Sequence, residues 1–366
     1  MMHSIIRLMG IMGLWSGNTP TSELAYIYRN SNDMKGTIRG LIEVVFLTRG
    51  GIQLFIIISY QELLKEVFYN IEATMDALRK DSSQAVYKQL MWLEKSPDLL
   101  FKWYFVAYVG AYVFYSVVPV LMTTAVYILS DSNPAFPVVI HVDYVFFDYR
   151  SNFWIWLAIS ISLMVINFSM TLDFVALDCF KFCLLQQTCG LFQIVRIKIQ
   201  ELHEFHDSAK FRTDILKILQ LQEVAYRSSK KIEKALSTYI FVLYGLCIEI
   251  LCMILLNLII AFDDKTFILK MALTFNLIMF QIFSYSMLGT ELETQSTSSA
   301  RAIADLQWYD LLKNRGQSYA IQFMMMRSQK KAFLTAGGFF PVTRNSFMSA
   351  LNMTYSFFTL MQQMYG

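Results

Sequence analysis

The sequence predicts an all-α membrane protein, a multi-pass bundle of long helices with helical extensions on one side of the bilayer. Three observations carry this. The chain of 366 residues is 55% hydrophobic and 15% aromatic, with only 16% charge and a mean hydropathy of +0.43, too apolar for an ordinary soluble domain. It contains six runs that meet the requirement of about 20 mostly apolar residues for a helix crossing a bilayer. Finally, Lys and Arg crowd into alternate connections between those runs, as they do where loops stay on the cytoplasmic side. The net charge of +3, without a basic block or an aromatic-basic motif, argues against a nucleic-acid partner.

Residues 1–40 hold no adequate span. Met1 to Trp15 is apolar but short, has Arg7 in its middle and lacks an A-x-A-like cleavage site, so it does not read as a signal peptide. Asn18, Thr19, Pro20 and the polar stretch Arg29 to Asp33 interrupt the remainder of this segment. The first run, Leu41 to Tyr60, contains Glu43 and Arg49. The second, Leu100 to Leu129, carries Gly110 and Pro119, which predict a kink. The loop Ser130 to Ser151, with Pro134, Pro137, Tyr144 and Phe146, reads as a lid folding back on the bundle or as a self-packed loop. The third run, Asn152 to Phe180, ends near Asp173 and Asp178, which read as interfacial.

Residues 181–237 are amphipathic, with Leu191, Ile194, Val195, Ile199 and Leu202 and then Ile215, Ile218, Leu219 and Leu221, and predict helices projecting into the cytoplasm. The fourth and fifth runs, Thr238 to Phe262 and Thr266 to Leu288, form a pair within 238–289. Glu249 lies near the middle of the fourth and reads as an inter-helix or inter-subunit hydrogen-bonding residue; Lys270 lies in the fifth. Residues 290–345 turn polar and lead through Leu306, Trp308, Leu311 and Leu312 to the last run, Ser346 to Tyr365, within 346–366. The segments 41–180, 238–289 and 346–366 thus hold the spans, and 181–237 and 290–345 the extensions.

Lys65, Arg79, Lys80, Lys88 and Lys95 lie between the first two runs, ten Lys/Arg lie from Lys181 to Lys234, and seven from Arg301 to Arg344; the other two connections hold only Arg150 and Lys265. The three basic connections are therefore read as cytoplasmic and the C-terminus as outside. Five cysteines lie in or just beyond apolar spans and give no disulfide framework. His203 and His206 beside Glu201 and Glu204 fall short of a zinc set and read as a solvated helix face. No catalytic motif is present, so the chain reads as a non-enzyme without cofactor or metal.

On a helical wheel, Asn352, Tyr355, Ser356, Thr359, Gln362, Gln363 and Gly366 fall within an arc of about 120°. Phe347, Leu351, Phe357, Phe358, Leu360, Met361 and Met364 oppose them. Polar side chains on a membrane helix face protein or water rather than lipid, so the stripe reads as one wall of an aqueous pore or as glue between helices. The linear motif is more specific. Ser328-Gln329-Lys330, Leu334-Thr335-Ala336-Gly337, Phe339, Pro341-Val342 and Tyr355-Ser356-Phe357-Phe358-Thr359-Leu360 resemble the C-terminal signature of insect odorant receptors, and Trp308-Tyr309 resembles the pattern ahead of it. The resemblance is strong over residues 295–366 and general over the rest.

That resemblance implies a seven-helix fold of the insect chemoreceptor type, with an intracellular N-terminus, an extracellular C-terminus and a cytoplasmic helical anchor region where four subunits meet. Leu41 to Tyr60 then corresponds to the second helix, so the first, within residues 1–38, is weak or truncated here. It implies an odorant-gated, non-selective cation channel subunit in the plasma membrane of olfactory neuron dendrites, serving sensory transduction. The subunit would be of the ligand-tuning kind, in a heterotetramer with the odorant receptor coreceptor. Gln362 would stand at the narrow outer pore. A small volatile hydrophobic ligand would bind among the outer halves of the helices, where Tyr112, Tyr115, Val118, Met122, Phe153, Trp156, Ile159, Ser160, Met271, Phe275 and Ile278 lie at similar depth. Ordinary bundle packing or an aromatic belt reads the same from the residues alone. A gustatory-type channel, a secondary transporter using Glu249 or the aspartates, and a G-protein-coupled receptor are the alternative functions; the charge alternation argues against the last.

Overall fold

Long helices make up almost all of the described chain, and they start and stop where the sequence supplies caps and breakers. The computed structural model describes residues 34–80, 83–129, 152–202, 208–260, 265–305 and 315–365. In chain order come α1 (Met34–Lys80), α2 (Gln84–Tyr112), a π turn (Val113–Val117), α3 (Val118–Leu129), α4 (Phe153–Glu201), α5 (Ser208–Ile260), α6 (Lys265–Ala304), α7 (Arg315–Ser328) and α8 (Arg344–Tyr365). A two-stranded antiparallel ribbon, β1 (Thr335–Ala336) and β2 (Phe340–Pro341), precedes α8. The expected weak first helix in 1–33, the candidate lid in 130–151, His203, His206, Trp308 and Tyr309 lie outside the described residues.

The helices run well past the apolar segments. α4 has 49 residues, about 73 Å at 1.5 Å per residue, more than twice the thickness of a hydrocarbon core. It continues because Lys181 to Gln200 contains no Pro and keeps an apolar face, and it begins where Asn152 accepts a hydrogen bond from the Trp154 N–H at 3.0 Å. α2 is capped by Ser83, whose Oγ accepts from the Val86 N–H. Through the π turn, α2 and α3 form one helix of 46 residues. The widened turn lies between Gly110 and Pro119, where the sequence predicts a kink. Pro119 has no N–H and its ring crowds the carbonyl four residues back, and the preceding turn relaxes to a bond from the Val118 N–H to the Val113 carbonyl. Among the described residues, three helices are long and apolar enough to cross a membrane: Gln84–Leu129, Phe153–Glu201 and Ala272–Ala304.

The main core lies on the side carrying the basic connections. There Leu64, Val67 and Ile71 of α1, Val86, Leu90 and Leu93 of α2, Phe182 to Ile199 of α4, Phe211 to Leu243 of α5 and Leu292 of α6 pack into one cluster. The opposite halves of the helices stay largely open, with Leu121, Ile128, Trp154 and Val165 exposed. Apolar side chains facing hydrocarbon carry no desolvation penalty, so these surfaces need no protein cover.

The ribbon ties α8 to this core. Gly337 and Gly338 both adopt left-handed backbone, φ 60° and 78°, which closes the turn. The Gly337 N–H donates to the Ser237 carbonyl at 2.9 Å, and the Val342 N–H to the Leu334 carbonyl at 2.8 Å. Thr335 Oγ1 donates to Glu233 Oε1 at 2.9 Å and lies 3.0 Å from Ser237 Oγ, which donates to it. Outside the apolar spans, burial pushes the Tyr226 phenol up to about 12, opposed by Arg327. It therefore stays protonated and donates to the Lys330 carbonyl at 2.7 Å. Thr335→Ala removes two hydrogen bonds, one to a carboxylate, in a buried setting; we expect a loss of about 1–3 kcal/mol, read as a lower melting temperature of the solubilised protein, with Thr335→Ser near wild type.

α8 starts on a reciprocal cap. The Thr343 N–H donates to Ser346 Oγ at 2.8 Å and the Ser346 N–H to Thr343 Oγ1 at 3.4 Å, while the Arg344 N–H donates to Thr290 Oγ1 of α6 at 2.9 Å.

Candidate functional site

Three arrangements could carry function: an aromatic cluster far from the basic connections, a buried polar network at mid-bundle, and the exposed face of α8.

The aromatic cluster forms where α2, the π turn and α3 pack beside α4. Phe153, Trp156, Ser160 and Leu163 recur at helical spacing on one face of α4, and all four are buried. With Val120, and with Tyr115, Leu157, Ile159 and Met164 around it, this face makes a cluster separate from the main core. Tyr127 stacks on Phe153 with ring centroids 3.9 Å apart and planes at 7°, and Phe153 lies 5.8 Å from Trp156. One turn toward the core, the Tyr112 hydroxyl donates to the Met164 carbonyl at 3.1 Å, and its ring lies 5.3 Å from Phe168. Ser160 Oγ is fully buried and has no hydrogen bond among the described residues. A buried hydroxyl left unmatched costs free energy unless something supplies its partner.

Of the eleven residues predicted from sequence as ligand-lining, the structure brings Tyr115, Phe153, Trp156, Ile159 and Ser160 together here, with Tyr112 and the half-buried Val118 alongside. Met122 is exposed on α3. Ile278 is buried in the main core, and Phe275 packs against that core. The Met271 side chain lies outside the description. Similar depth along the membrane normal did not bring Phe275 and Ile278 to the face that the α4 residues share, because helix rotation is set by packing. Val120, Leu163 and Tyr127 were missed; Leu163 was available from the i, i+3, i+7, i+10 spacing of Phe153, Trp156, Ser160 and Leu163.

The polar network gathers residues from four helices. Asp178 Oδ1 lies 2.6 Å from Lys181 Nζ, and Asp178 Oδ2 accepts from Gln281 Nε2 at 2.6 Å. Gln53 Nε2 donates to Asp178 Oδ1 at 3.4 Å, and Tyr239 donates to Gln53 Oε1 at 3.0 Å while accepting from Gln281 at 3.0 Å. Arg49 donates to Gln281 Oε1 and lies 5.1 Å over the Phe174 ring, and Lys181 lies 3.9 Å over the Tyr239 ring. Asp178 and Lys181 are 0% and 1% exposed at their side chains. The sequence reading of Asp178 as interfacial is thus corrected: it is the one carboxylate, among the described residues, set against two buried cations. Lys181, counted among the cytoplasmic charges, is interior. Asp173 is half-buried and stands apart from the network, and Glu249 is exposed on α5.

On α8, Phe347, Ala350, Leu351 and Thr354 face Tyr244, Cys247, Ile248, Met279 and Ile282 across a cavity of about 10 Å³, room for a single water. Phe347 lies 5.5 Å from Phe283, and Tyr244 is 2.8 Å from Ser286 Oγ. The predicted stripe turns the other way: Asn352, Tyr355, Ser356 and Gln363 are exposed and Thr359 is half-exposed. The Gln362 side chain lies outside the description, although its backbone is helical. Among the described residues no group of acidic, His or Cys side chains is placed to hold a metal ion.

Comparison with known proteins places this geometry. The family model described as 7tm Odorant receptor matches residues 34–355. The chain is similar to Odorant receptor 30a of Drosophila melanogaster, 33% identical over 137 residues, covering 36% of this chain and 34% of that protein. It is also similar to Odorant receptor 10 of Aedes albopictus, 26% identical over 186 residues, covering 48% of each. These alignments span a third to a half of the relatives' length. The fold matches that of the insect olfactory receptor OR5 from Machilis hrabei in complex with eugenol, at a TM-score of 0.75 and 14% identity, over 94% of this chain and 85% of that one. With the family model covering all the helices from α1 into α8, this all-α chain of the chemoreceptor type belongs to the odorant receptor family.

Proposed function

We propose that the chain is a ligand-tuning subunit of an odorant-gated, non-selective cation channel, assembled with the odorant receptor coreceptor in the plasma membrane. The observation that carries this reading is the polar face of α8. Asn352, Tyr355, Ser356 and Gln363 are exposed in the single chain, while Phe347, Leu351 and Thr354 hold the helix to α5 and α6. A membrane helix does not leave such a stripe facing lipid, so it borders water or a neighbouring subunit. The charge alternation supports an extracellular C-terminus, with α8 crossing from the basic side.

The odorant site is assigned to the aromatic cluster around Trp156. Its aromatic and aliphatic side chains suit a small apolar molecule, bound through area burial at about 25 cal/mol per Å², and Ser160 Oγ offers a hydrogen bond that no described residue takes up. A ligand with an apolar ring and a group able to hydrogen-bond meets both conditions; the similar Machilis receptor is described in complex with eugenol. For opening, the ligand must favour the open arrangement over the closed one.

The test is odorant-evoked current in oocytes co-expressing the coreceptor. Gln362→Ala and Thr359→Val are expected to change ion selectivity or conductance. Trp156→Ala is expected to shift the odorant concentration dependence by about tenfold or more, the worth of about 50 Å² of contact, without changing permeation. Unchanged permeation in both α8 variants would remove this chain from the pore wall. Odorant-independent flux requiring Glu249 would favour a transporter.

A further inference from the structure

Among the described residues, one face of α2 is left uncovered along most of the helix. At 100° per residue, Lys88, Trp92, Lys95, Leu99, Lys102 and Trp103 share an arc of about 100°, and each of them is exposed. The same arc continues upward through Val106, Gly110 and Val113, also exposed, into the apolar part of the helix. No carboxylate falls within it; Asp98 lies about 40° beyond Lys102. Several cations elsewhere do find acids: Lys65 with Glu62, Arg79 with Glu94, Lys231 with Glu66, Lys331 with Glu293. Lys88, Lys95 and Lys102 are in no ion pair among the described residues.

We propose that the exposed face of α2 from Trp92 to Trp103 is a docking surface for the headgroups of anionic phospholipids. Depth and chemistry coincide there. From Trp103 to Leu129 the helix carries no charged residue, which makes Lys102 the last charge before the hydrocarbon. With about 20 residues enough to span that layer, the surplus leaves Lys102 and Trp103 at headgroup level. Lys95 lies about 10 Å further out along the axis, within reach of the same layer for an extended lysine on a tilted helix. Indole rings at this boundary bury an apolar body beside a polar tip, and the intervening Leu99 gives acyl chains a contact. A protein partner would have to match a face that turns from basic to wholly apolar within a few turns. A bilayer surface offers that gradient by construction. The inference depends on membrane insertion but not on the channel reading, nor on which leaflet the basic side faces.

The experiment uses the full chain, co-expressed with any subunit its assembly needs, in phosphatidylcholine nanodiscs containing photoactivatable phosphatidylserine. Cross-linked peptides are mapped by mass spectrometry. Labelling is expected between Trp92 and Trp103 and is expected to fall with added salt. Each lysine near an anionic surface is worth about fivefold, so the double variant Lys95→Gln/Lys102→Gln should lose labelling on the order of twentyfold. Lys95→Arg/Lys102→Arg should keep it, and Lys330→Gln, on a different segment, should not change it. No labelling of this face overturns the proposal. So does labelling that survives the Gln pair, equal labelling by a phosphatidylcholine probe, or a cross-link from this face to a protein chain.

Discussion

Asp178→Ala is expected to prevent stable folding of most of the chain, whereas Lys181→Met at the adjoining position is expected to be tolerated. The asymmetry comes from the count of charges. Among the described residues the network sets Arg49 and Lys181 against Asp178 alone. Removing the carboxylate leaves two buried cations without a counter-charge and takes away the acceptor used by Gln53 and Gln281. Breaking a buried pair from one side costs about 3–5 kcal/mol, a large part of a total stability of about 5–15 kcal/mol. Removing Lys181 instead leaves one cation and one carboxylate, joined through Gln281, and Met fills much of the volume. Thermal melting of a fluorescent fusion in detergent, with surface expression beside it, checks this. The double variant Asp178→Ala/Lys181→Met should fall between the two. Equal losses for both single variants would mean that charge balance does not hold these helices together.

Gly289→Ala is expected to cost on the order of 3 kcal/mol and to abolish evoked current even where protein reaches the surface. Gly289 is buried on α6 where the chain passes between the ribbon and α8, and a Cβ there would overlap the Val342 carbonyl oxygen. That oxygen cannot move alone. Val342 is fully buried, its N–H is held by Leu334, and the next residues cap α8 and bond to Thr290. Alanine's better helix propensity, about 1 kcal/mol, is smaller than the strain of shifting two elements. Gly190 makes a useful comparison. The atoms nearest to a Cβ there all belong to the Leu93 side chain and none to backbone, so Gly190→Ala should lose less. The readouts are melting temperature and current normalised to surface protein; a Gly289→Ala protein matching wild type in both would show that α8 is not held where the ribbon puts it.

Much of this was legible in the residues. Apolar runs gave the helices because a bilayer leaves backbone groups no partner but each other, and Phe153, Trp156 and Ser160 could be placed on one face of α4 by spacing alone. The wheel separated Leu351 from Asn352, Tyr355 and Ser356, and the structure puts the first against α5 and α6 and exposes the others. Arg49 and Asp178 were visible only as anomalies, one inside an apolar run and one at the end of another. That they join one network through Gln281 could not be read, since the three residues lie more than a hundred positions apart and their meeting depends on how α1, α4 and α6 rotate about their axes. Phe275 and Ile278 show the same limit from the other side: the correct depth, but a face turned into the main core.

The order of residues alone therefore settles which segments are helical, how far each apolar stretch extends, and, through the long C-terminal signature, the family. Hydropathy and periodicity are properties of consecutive residues, so no partner is needed to express them. Folding in three dimensions chose which faces meet: the pairing of one carboxylate with two cations, the gap that only a glycine fits beneath Val342, and the aromatic cluster that leaves Phe275 and Ile278 to the main core. Those depend on helix rotation and on approach within a few ångströms, which are fixed by close packing among segments far apart in the chain.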